Sequence, residues 1–151
     1  MRAAALLLFV IGLATGCSRR PVDATPEGAV RELTERLGAL DGADEDAKAV
    51  YELLSEAAQS NLKARAERYS NASGRQRTPW SMIVPSRARL RFAPQSFEAK
   101  VVGKHALVDV LGVGSDQVVH IPCVLEKDLW RVELAFPELP PLPRRPGVAG
   151  P

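Results

Sequence analysis

Cysteine and histidine are scarce in this chain, and no charge sign dominates it. Two cysteines in 151 residues cannot build a disulfide-dense scaffold or a four-thiolate zinc site. Lys and Arg number 20 against 18 Asp and Glu. The basic pI therefore rests on a small excess, which excludes a strongly cationic nucleic-acid binder. There is no Gly-rich phosphate loop, no zinc-finger spacing, no internal repeat, and no apolar run long enough to cross a bilayer. What is present is ordinary: 46% hydrophobic and 25% charged residues in a length that suits one domain, so the chain as a whole is not disordered.

The longest apolar run spans residues 3–13, directly after Met1-Arg2. As a helix it covers roughly 16 Å, half of a ~30 Å hydrocarbon core, so it reads as a signal-peptide segment. Leu13-Ala14-Thr15-Gly16-Cys17 follows, with small residues directly before a cysteine. This stretch resembles the lipobox of bacterial lipoproteins, with Ala14 where Leu is more usual. The resemblance implies cleavage after residue 16, a diacylglycerol on Cys17, and anchoring by acyl chains. Ser18 lacks the aspartate that retains such proteins at the inner membrane, so the expected location is the periplasmic face of the outer membrane. Residues 17–24 are expected to form a lipidated, solvated tether.

Three helices are expected next, inside a domain covering residues 25–136. Thr25-Pro26-Glu27 combines an N-cap hydroxyl, a proline at the first helical position and an acid in the first turn. Val30, Leu33, Leu37 and Leu40 share one face of that helix, which Gly38 or Gly42 should close. A second helix is expected from Asp44, and a third after a break at Ser55, ending by Gly74. Thr78-Pro79-Trp80 predicts a short helical piece ended by Pro85. Arg87, Arg89 and Arg91 alternate with Ala88, Leu90 and Phe92, which predicts a strand.

Four further alternating runs follow. They are centred on Phe97, Ala99 and Val101; on Ala106, Val108 and Val110; on Val119, Ile121, Cys123 and Leu125; and on Trp130, Val132 and Leu134. The expected fold class is therefore α+β, with two to three N-terminal helices on a curved antiparallel sheet of four strands, or five if the arginine run joins it. Pro122 predicts a local edge or bulge in the third run. Trp130 is expected in the core. Residues 137–151 hold half of the chain's twelve prolines and are expected to be a disordered tail.

Few residues offer chemistry. His105 and His120 lie on presumed neighbouring strands, with Asp109 alternating beside His105, so a His–Asp pair can serve acid–base work. Tyr51 is a further candidate. Sheet-face histidines without a catalytic role are the plainer reading, since no nucleophile elbow, paired carboxylates or metal-spaced set accompanies them. Cys123, between apolar neighbours, reads as a small hydrophobe. Arg87, Arg89 and Arg91, near Trp80 and Phe92, either bind anions such as phosphate or form a solvated strand face. No metal or other cofactor is expected, and no nucleic-acid partner.

Two or three helices followed by a curved antiparallel sheet, together with Val50-Tyr51-Glu52-Leu53-Leu54-Ser55, Ser73-Gly74-Arg75 and Trp130-Arg131-Val132-Glu133-Leu134, resemble short bacterial lipoproteins of the nuclear transport factor two-like superfamily. The resemblance implies a cone-shaped α+β domain. It also leaves two functional expectations. One is a lipid-anchored, non-enzymatic envelope module that uses its cone or sheet face to bind a partner protein or a small apolar ligand. The other is an isomerase- or dehydratase-type enzyme with His105, His120, Asp109 or Tyr51 in the cone. A His and an acid converging inside the cone would favour the enzyme.

Overall fold

The computed structural model describes residues 21–139. The signal segment, Cys17 and the tail beyond residue 139 lie outside the described residues. The fold is α+β, with helices α1 (Pro26–Ala39), α2 (Asp44–Glu52), α3 (Glu56–Ser73) and the single turn α4 (Pro85–Ala88) packed with an open antiparallel sheet. Its strands β1 (Ser96–Val102), β2 (His105–Leu111), β3 (Val118–Glu126) and β4 (Leu129–Val132) lie in sequence order.

Local chemistry explains the helix limits. The Thr25 hydroxyl accepts the Gly28 amide at 3.1 Å, and Pro26 supplies the fixed φ of a first turn. Of the two glycines expected to close α1, Gly38 does not, since the helix runs through it to Ala39, and Gly42, at φ 108°, follows just beyond the end. Its last carbonyls are instead satisfied by a distant side chain, since the Arg89 guanidinium donates to the carbonyls of Leu37 and Leu40 at 2.7 Å each. Ser55 caps α3, and Gly74, at φ 69°, ends it. The break between α2 and α3 also extends the sheet. Ser55 N–H donates to Val132 C=O, and Val132 N–H donates to Leu53 C=O, both at 2.9 Å.

Two expectations are corrected. Residues 17–24 do not form a solvated tether throughout, because Val22–Ala24 make one 3-10 turn against α1 and β4. Asp23 is buried there and pairs with Arg131. The turn crosses α1 so closely that a Cβ on Gly28 would sit 1.9 Å from the Val22 carbonyl oxygen. The strand expected at Arg87–Phe92 is also absent. Pro85 starts helical turn α4, Arg89 N–H donates to Pro85 C=O, and Arg89 is held by α1 rather than by a neighbouring strand. Side-chain alternation alone cannot make a strand without a ladder partner.

The core lies between the helices and one sheet face. Val30, Leu33 and Leu37 of α1, Val50, Leu54 and Leu62 meet Ala106, Val108, Val110, Cys123, Trp130 and Val132. Trp130 is buried as expected. Val101 is 52% exposed although it belongs to the expected dry set, because the end of β1 runs beyond the helical layer. Pro122 occupies a local edge. Its carbonyl accepts from Glu133 N–H, so its ring nitrogen faces the side where β4 has already ended and no amide is required.

Candidate functional site

Three of the polar residues meet, but not inside the fold. Strand register sets Asp109 directly opposite His120, and both point away from the helices. His120 Nδ1 lies 2.6 Å from Asp109 Oδ1, and Lys100 Nζ donates to Asp109 Oδ2 at 2.9 Å. The two flanking side chains leave the Asp109 side chain only 13% exposed, while His120 and Lys100 stay open at 61% and 76%. The hydrogen bond from His120, then that from Lys100, holds the Asp109 carboxyl below its usual range. The same contact pushes the Lys100 ammonium up.

The other candidates do not join this array. His105 stands opposite Val102 and Val124, four residues from Asp109 along β2, roughly 13 Å at the usual strand rise. Tyr51 is on the helical side, edge-on to Trp80 with ring centroids 6.1 Å apart, and burial pushes its hydroxyl up. Cys123 is fully buried; desolvation, with Glu133 and Glu27 adding to it, pushes its thiol to about 12, so it is not a thiolate near neutrality. The space between helices and sheet, where the cone of the expected fold would hold a ligand, is filled by side chains such as Leu33, Leu37, Val108 and Val110. Among the described residues no group of three His, Cys, Asp or Glu can hold a metal ion, and no helix is long and apolar enough to cross a membrane.

The predicted arginine trio is divided by the helical turn. Arg89 is consumed in capping α1, and Arg91 follows in irregular chain. Arg87 faces a concave site against α3. A groove of about 420 Å³ runs between α3, residues 82–87 and residues 136–139. Met82, Val84, Tyr69, Ala72 and Phe136 give it apolar walls, and Arg65, Arg68 and Arg87 add three guanidinium groups. Arg65 is fixed: it donates to the Pro137 carbonyl and to Asn61 Oδ1, the latter at 2.7 Å, and lies 5.8 Å from the Phe136 ring centroid. Arg77 sits over Tyr69 at 5.3 Å. Val84 and Tyr69 remain nearly half exposed, which leaves this apolar surface open to solvent.

Sequence reasoning missed Lys100 on the sheet and, in the groove, Arg65, Arg68 and Phe136. The available signal was their spacing: Arg65, Arg68, Tyr69 and Ala72 recur at helical intervals and so share one face of α3. The tail boundary also moves, since residues 137–139 lie against that face rather than apart from it. No family model, curated protein or solved structure matches the chain.

Proposed function

We propose that this chain is a lipid-anchored binding module of the bacterial cell envelope, and that its ligand site is the α3 groove. The ligand class is an amphipathic anion: an apolar body bearing a carboxylate or a phosphate. The observation that carries this reading is the coincidence of apolar walls and three arginines in a concavity of ligand-site size, on a chain with almost no net charge. Guanidinium groups bond both oxygens of such headgroups, and Arg65 is already oriented by Asn61 and Pro137. The order of elements, helices followed by an antiparallel meander, supports the likeness to nuclear transport factor two-like lipoproteins. Acylation of Cys17 belongs to the same proposal. Four residue steps separate that cysteine from Pro21, which precedes the 3-10 turn packed on α1, a reach of at most about 14 Å, which would hold the domain at the lipid surface.

The acid–base alternative has one observation in its favour, the Asp109–His120 pair. That pair lies on an open sheet face, outside the wall of the α3 groove. Binding is the better-supported reading.

The test is calorimetric titration of the full chain with monomeric dodecyl phosphate, beside dodecanol and inorganic phosphate alone. Dodecyl phosphate should bind, and each half-ligand should bind at least about tenfold more weakly. Arg87→Ala should weaken dodecyl phosphate by about tenfold, the loss of one charged hydrogen bond. Equal affinity of wild type and Arg87→Ala would remove the groove from the account. Labelling with a palmitate analogue, present in wild type and lost in Cys17→Ser, tests the anchor separately.

A further inference from the structure

β1 ends the sheet, and its outward ladder groups can be assigned. Leu125 N–H donates to Lys104 C=O, and Gly112 N–H donates to Gln117 C=O. With the β2–β3 register, the even-numbered residues of β2 therefore direct their amides and carbonyls to β3, and the odd-numbered ones to β1. The partners of those odd residues are Ser96, Glu98, Lys100 and Val102. Phe97, Ala99 and Val101 are left with their N–H and C=O groups directed outward, without a ladder partner among the described residues. An unpaired edge of seven residues is a ready template for another strand.

The residues between those outward groups say which strand. We propose that β1 pairs antiparallel with β1 of a second copy, about a two-fold axis at Ala99, joining two sheets into one. In that register Glu98 faces Lys100 of the other copy, twice by symmetry, and Phe97 faces Val101. All seven residues pair, and every outward amide and carbonyl finds a partner. The neighbouring registers are disfavoured by charge. A two-residue shift one way opposes Glu98 to Glu98, and the other way opposes Lys100 to Lys100. A single lysine on an edge strand discourages pairing, but an acid and a base two residues apart on one face make the edge self-complementary. Lys100 is open enough to serve both its own Asp109 and the second copy's Glu98, since an ammonium has three donors. Val101 and Val102, 52% and 79% exposed, would lose their contact with water at the seam.

The test uses two differently tagged full-length copies expressed together and purified in mild detergent. Wild-type copies should co-purify. Glu98→Lys paired with itself, and Lys100→Glu paired with itself, should each co-purify about tenfold less, because both cross-strand pairs become repulsive. Glu98→Lys together with Lys100→Glu should recover the wild-type level. Wild-type copies that do not co-purify, or combinations that all co-purify equally, would overturn the proposal. A readout independent of the stability of the charge variants is oxidative cross-linking beside a wild-type control. A Glu98→Cys copy should cross-link to a Lys100→Cys copy and not to another Glu98→Cys copy; the reverse preference would overturn the register.

Discussion

At the scale of single residues, Asp109 is the most informative position on the sheet. Both hydrogen bonds it receives favour its ionised form, so its folded value lies below its unfolded one. The stabilisation is therefore fully present above the usual carboxylate range and is lost as pH falls through the folded value. Carboxyl-detected NMR titration should give Asp109 a midpoint below that of an ordinary aspartate. His120→Ala should raise it more than Lys100→Ala, since the His120 contact is the larger cause. An unshifted midpoint in the wild type would mean that the array is not formed. Asp109 and His120 were legible in the sequence as polar residues on neighbouring strands, but their meeting, and the part Lys100 takes in it, was not. It depends on register, and register follows from how the β2–β3 connection closes. In that connection the Gly112 amide donates to the Gln117 carbonyl, and the Gln117 side chain accepts from the Val113 and Gly114 amides.

At the scale of elements, the strongly patterned segments formed where their residues predicted. Thr25-Pro26 opened α1, Ser55 divided α2 from α3, and Trp130 and Val132 turned inward from β4. The failure at residues 87–92 has a physical cause, because period-two alternation is a weak signal beside a proline that sets a helical φ. Arg89 marks the consequence, reaching across to finish α1. Arg89→Ala should leave the Leu37 and Leu40 carbonyls without these donors, at a cost of about 1–3 kcal/mol. Thermal unfolding would register it as a lower melting temperature, with faster amide exchange in the last turn of α1. An unchanged melting temperature would show that water replaces the guanidinium at no cost. The tight β3–β4 turn was not legible either. Lys127 and Asp128 both take positive φ, 51° and 66°, the pattern of a two-residue type I′ hairpin in which glycine or asparagine is usual.

At the scale of the whole molecule, one apolar core joins α1, α2 and α3 to the sheet, and its side chains lie in the space between them. The proposed ligand groove is on the outside, where side-chain patterning carried little sign of it. The α3 groove draws its walls from three separated stretches, and only tertiary packing brings Arg65, Arg87 and Phe136 together. One of those stretches, residues 137–139, falls in the segment expected as a tail. Amide hydrogen exchange of the full chain, with and without saturating dodecyl phosphate, tests the groove most directly. The account predicts added protection in residues 65–72, 82–87 and 136–139, with the Asp109–His120 face of the sheet unchanged. Protection centred on β2 and β3, with α3 unaffected, would contradict it.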